Sequence, residues 1–119
     1  MMIEEVILNG LKEALDVPVL MELPEVPSTE YPTFPEEMVL IERVGGNRAN
    51  QIDHASIAFQ SYSTQSLYNA ASLDDAVKTA VFDLVALPEI SGVRLASNYN
   101  HTDTRTKRYR YQCVFEIYY

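Results

Sequence analysis

The residues with the most reactive side chains in this chain are two histidines, one cysteine and a crowd of carboxylates. His54 and His101 lie far apart, and neither belongs to a His-x-x-x-His or Cys-x-x-Cys pattern. A zinc site needs three or four converging ligands. His101 with Asp103 supplies two at most, so that pair reads as a solvated hairpin tip. Cys113 is the only cysteine, which excludes an internal disulfide and an all-cysteine metal site and fits an intracellular, reducing origin. It falls in phase with Tyr109, Tyr111, Phe115 and Ile117, the pattern of a small buried hydrophobe rather than a nucleophile. Carboxylates are plentiful in the first third, yet no apolar surroundings split their pKa values for acid and base roles. Gly45-Gly46 lacks the later glycine and lysine of a phosphate-binding loop. The expectation is a protein that is not an enzyme and carries no cofactor or metal.

Charge is unevenly distributed. The formal net charge is −8, and residues 1–42 hold ten acids against Lys12 alone, a local −9 that leaves +1 for the remainder. Four bases crowd together as Arg105, Lys107, Arg108 and Arg110. With Tyr109 and Tyr111 interleaved they resemble a stacking platform for single-stranded nucleic acid. Strand alternation, however, turns Arg108 and Arg110 away from the tyrosines, and the overall negative charge repels a polyanion. An acidic third and a basic hairpin in one chain suit contact between copies as well as they suit two solvated surfaces. The candidate contact residues are Arg105, Lys107, Arg108 and Arg110 on one copy and Glu36, Glu37 and Glu42 in the acidic third of the next.

These residues must be positioned by one long strand that turns directly into one long helix. Residues 50–62 alternate as a strand, with Ala55, Ile57 and Phe59 on a packed face and His54, Ser56, Ala58, Gln60 and Tyr62 on a polar, partly open one. Across 65–86, Leu67, Ala70, Leu73, Val77, Ala80, Val81 and Leu84 form a helical stripe, with Asp74, Asp75, Lys78 and Asp83 assigned to the other side. Ser61, Ser63 or Thr64 could cap this helix, and Ser72 with Asp75 offers a later start.

The spacing predicts a short amphipathic helix over 1–15, stopped by Pro18, and a short strand at 19–23. A proline-rich extended loop spans 24–37, and a strand at 38–44 reverses at Gly45-Gly46-Asn47. After Pro88 come strands at 90–99 and 107–118, the first with Val93, Leu95, Ser97 and Tyr99 on one face. This order, helix, three strands, helix, two strands, predicts a single α+β domain over 1–119. Its mostly antiparallel sheet is covered on one face by a long central helix and a short N-terminal helix. No leader pattern and no apolar run of spanning length is present, so the chain is expected to be neither secreted nor membrane-inserted.

The runs Val39-Leu40-Ile41-Glu42-Arg43-Val44-Gly45-Gly46, Ala55-Ser56-Ile57-Ala58-Phe59-Gln60-Ser61-Tyr62, Leu67-Tyr68-Asn69-Ala70-Ala71 and Arg108-Tyr109-Arg110-Tyr111-Gln112-Cys113-Val114-Phe115-Glu116-Ile117, in that order, carry a resemblance. From about residue 17 onward the chain resembles the small tail-terminator proteins of long-tailed bacteriophages, also called tail-completion, minor tail or neck (head-tail joining) proteins. The resemblance implies a structural virion subunit, made in the host cytoplasm, that assembles as a hexameric ring. Such a ring ends the major tail tube protein's polymer, meets the head-neck connector protein and lets DNA pass through its lumen unread. It implies no catalytic residue. Two other readings stand beside it: a small regulatory or ligand-binding α+β domain with a closed apolar pocket under the long helix, and a single-stranded nucleic-acid binder with steep salt dependence.

Overall fold

The computed structural model describes residues 2–22, 29, 35–49, 52–100, 102 and 109–119. Helix α1 (Ile3–Ala14) is followed by strands β1 (Val19–Leu20), β2 (Glu37–Ala49) and β3 (Ile52–Ser63). Helix α2 (Leu67–Asp83) runs into a 3-10 turn (Leu84–Ala86), and β4 (Gly92–Asn100) and β5 (Tyr109–Tyr118) follow. The strands lie in the order β1-β2-β3-β5-β4, with every pairing antiparallel except β1 with β2. The fold is α+β, as the periodicities require.

In α1, Glu4 and Glu5 complement the positive end of the helix dipole, and Ile3, Val6, Ile7 and Leu11 are buried. Gly10 lets this helix come close to the end of α2, because a Cβ there would meet Leu84 Cδ2 at 2.5 Å. The α1 stripe joins Leu73, Val77, Val81 and Leu84 and the sheet residues Val39, Ile41, Ile57, Phe59, Phe115 and Ile117 in one core. Phe115 receives Phe59 and Phe82 edge-on, with ring centroids 5.9 and 5.1 Å away.

Several local expectations are corrected. The cap of α2 is Ser66, whose Oγ accepts the Asn69 amide at 3.0 Å, and Ser63 Oγ instead accepts the Gln65 amide just before it. The helix proper is 17 residues long and tightens to 3-10 before Pro88. Asp74, assigned to the solvent side, is 2 % exposed. It sits four residues from Ala70 and three from Val77, so helical geometry places it on the buried stripe whatever its polarity.

Gly45-Gly46-Asn47 does not reverse the chain. The β2–β3 ladder runs on to Ala49 opposite Ile52, and the register shifts between Arg43 and Gly45, where Val44 is the extra residue of a bulge. Gly46 adopts φ +156°, and a Cβ on it would lie 2.4 Å from the His54 carbonyl oxygen. A second shift falls between Leu95 and Ser97 in β4. Ala96 is the extra residue, and beyond it the alternation inverts. Ser97 and Tyr99 therefore share a face with Arg94, opposite to Val93 and Leu95, while Asn98 turns toward α2.

Candidate assembly surface

The face of the sheet away from the helices is polar but far less open than alternation alone suggested. Ala58, Gln60 and Tyr62 are buried there, and Tyr62 clusters with Met38 and Leu40. A hydrogen-bonded chain crosses four strands on this face. Arg110 Nη1 donates to the Tyr62 hydroxyl at 2.8 Å, and that hydroxyl donates to Gln60 Oε1 at 2.9 Å. Gln60 Nε2 donates to Glu42 at 3.4 Å and to Gln112 Oε1 at 3.2 Å, and Gln112 Nε2 donates to the Tyr99 hydroxyl at 2.6 Å. Buried amides satisfied in this way fix the relative positions of the strands that carry them.

Of the expected contact residues, Arg105, Lys107 and Arg108 lie outside the described residues. Arg110 is half-buried, with its guanidinium 5.4 Å from the centre of the Tyr62 ring. Glu36 accepts from Gln65 at 3.0 Å, and Glu42 is linked to Arg110 through Gln60 and Tyr62. Glu37 pairs across the ladder with Ser63, itself opposite Tyr109. The start of β2 and the start of β5 thus stand at the same end of the sheet. Tyr109 and Tyr111 lie on the opposite face from Arg110, so the register separates aromatic rings from that charge.

Two polar clusters carried no signal in the linear pattern of charges. On the lower half of the sheet, Arg94 donates to Glu116, as does the Tyr118 hydroxyl, and the Tyr118 ring stacks on His54 at 5.0 Å. The hydrogen bonds from Arg94 hold the Glu116 carboxyl below the usual carboxylate range. Under α2, Asn98 Nδ2 donates to Asp74 at 2.9 Å and to the Gln112 carbonyl at 3.2 Å, and Lys78 donates to Asn98 Oδ1 at 3.0 Å. Burial pulls the Lys78 ammonium down, but Asp75 and Asp74 outweigh it and its pKa rises. Burial pushes the Cys113 thiol far up, reinforced by the Asp74 carboxylate.

Among the described residues, no group of three His, Cys, Asp or Glu is placed to hold a metal ion, and no helix is long and apolar enough to cross a membrane. Two clefts flank α1, one of about 190 Å³ lined by Val6, Gly10, Glu13 and Leu87, the other of about 320 Å³ lined by Ala14, Ala76, Ala80 and Asp83. Both open to solvent, the first between α1 and the segment after the 3-10 turn, the second between α1 and α2.

The edges of the sheet differ from its interior. β4 is paired only with β5 among the described residues, and from Ala96 to Asn100 every residue is exposed. At the other edge β1 covers β2 only at Val39 and Leu40, leaving Glu42, Arg43, Val44, Gly45 and Gly46 exposed. Apolar side chains accompany both edges: Val44 is 54 % exposed, and Phe82 and Val85, on elements that contact β4, are 45 and 52 % exposed. No known protein family matches the chain, and no curated protein matches it in sequence.

Proposed function

We propose that this protein is a structural subunit that works by assembling with copies of itself into a ring. In this reading the ring terminates the tail tube of a long-tailed bacteriophage and joins it to the head-neck connector. The observation that carries the assembly reading is the nine-residue edge strand β4, which among the described residues pairs with β5 alone. Its outward N–H and C=O groups form a template for another strand, and long exposed edges are normally blunted or covered in proteins that stay alone.

Three further features support it. In sequence the β1–β2 connection is acidic and the β4–β5 connection carries the basic run, and these strand pairs form the two sides of the sheet, which suits a head-to-tail contact that closes by rotation. The basic groups described on the face away from the helices, Arg94 and Arg110, are engaged by Glu116 and Tyr62. A lumen lined by this face would offer a passing phosphate chain little to hold it back. The order of sequence runs resembling tail terminators supplies the place of the ring in a virion. The ligand-binding reading has less behind it, because the two clefts described beside α1 are open and sit at or below the small end of ligand-pocket volumes.

Deletion of the gene from its phage tests this function. The expected result is filled heads without attached tails, together with tail tubes of uncontrolled length. Tails of normal length joined to heads would overturn it.

A further inference from the structure

We infer that the partner of the β4 edge is the stretch of β2 beyond its pairing with β1 in a second copy, residues 41–47, and that the two strands form one uninterrupted antiparallel ladder. The inference rests on the ring reading and names the contact that closes it.

Strand direction is the first observation. β4 is antiparallel to β5, β5 to β3 and β3 to β2, so β4 and β2 run in opposite directions at the two sides of one sheet. A copy rotated about an axis along the strands then places its β2 antiparallel to β4, and the alternation continues across the boundary without a break. A two-fold pairing of β4 with itself would also be antiparallel, but it would bring like-charged β4–β5 regions together.

Register is the second. Rows of partners run straight across the sheet: Glu42, Ala58, Val114 and Ser97 in one, and Gly45, Ser56, Glu116 and Arg94 in another. Between those rows each edge strand carries one extra residue, Val44 in β2 and Ala96 in β4. A bulge in one edge alone would throw a strand added there out of phase. With a bulge in each at nearly the same height, the offsets cancel. When equivalent rows of two copies are set level, Arg94 faces Gly45 of the next copy, Leu95 faces Val44, Ala96 faces Arg43 and Ser97 faces Glu42. The same one-to-one pairing extends outward to Gly92 with Asn47 and Asn98 with Ile41. The kinks coincide, and neither strand leaves a residue over.

Coverage and charge complete the fit. β1 occupies β2 only at Val39 and Leu40, just above the proposed contact, and so limits how far an added strand can slide. Glu36 and Glu37 stand at the same end of the sheet as Asn100 and Tyr109, which flank the basic run Arg105, Lys107 and Arg108 in sequence. In the level register the end of β4, which leads into the basic run, stands beside the acidic start of β2 in the next copy.

Cross-linking tests the ladder. Glu42→Cys and Ser97→Cys are exposed positions that the register sets opposite each other, and the buried native Cys113 stays silent toward thiol reagents. With both substitutions in one chain, a short bis-maleimide is expected to give a series of covalent oligomers ending at a closed species. An equal mixture of the two single variants should give dimers and nothing larger, and each single variant alone should give none. A cross-linked dimer from Ser97→Cys alone would reveal two-fold β4 pairing and overturn the inference. Annuli in electron micrographs of the double variant without cross-links would overturn this contact and leave the ring reading standing. The absence of both annuli and cross-links would overturn the two together.

Discussion

At the residue scale the strongest constraints come from side chains whose environment departs from their type. Cys113 was legible because it shares a phase with Phe115 and Ile117, and the structure buries all three. Asp74 was not legible from polarity, although its spacing from Ala70 and Val77 already marked the buried stripe; Asn98 and Lys78 make that burial tolerable. Gly46 was read as a turn residue because turns and bulges ask for the same backbone freedom, and only the ladder tells them apart. Its conformation leads to a paired prediction. Gly46→Ala forces a Cβ against the His54 carbonyl and should cost roughly 1–3 kcal/mol. Gly45→Ala meets only Ser56, at 3.8 Å, and should leave stability nearly unchanged. Denaturant titration of both variants checks this, and equal losses would show that the backbone at Gly46 is not special.

At the element scale, element types and order followed from periodicity, because helical and strand repeats differ too much to be confused over long runs. Strand ends and faces were less readable. Each bulge inserts one residue without changing composition, so nothing in the linear pattern announced that Ser97 and Tyr99 would turn to the outer face. The polar chain linking Arg110, Glu42 and Tyr99 was invisible for a related reason, since its members come from four strands brought together only by pairing order. The end of β4 is tied to α2 by Asp74 and Asn98. Asp74→Ala removes that tie and should destabilise the fold by about 1–3 kcal/mol, whereas Asp75→Ala, at an exposed pair, should cost under about 1 kcal/mol. Thermal unfolding of the two variants distinguishes them, and an Asp75 effect as large as that of Asp74 would place the anchor on the wrong carboxylate.

At the scale of the whole molecule, the sheet is closed on one face by two helices and internally hydrogen-bonded on the other, while among the described residues no strand pairs with the outer side of β4. Of the contact expected from charge alone, Glu37 and Arg110 stand at the same end of the sheet, while Arg105, Lys107 and Arg108 lie outside the described residues. Edge availability itself could not be read in advance, since it depends on β5 inserting between β3 and β4. The central claim is that these edges meet in a closed ring of identical subunits. Electron microscopy of the concentrated purified protein tests it most directly. Annuli of six-fold symmetry with an open centre are predicted, and fields containing only monomers or two-fold dimers at every concentration would contradict the account.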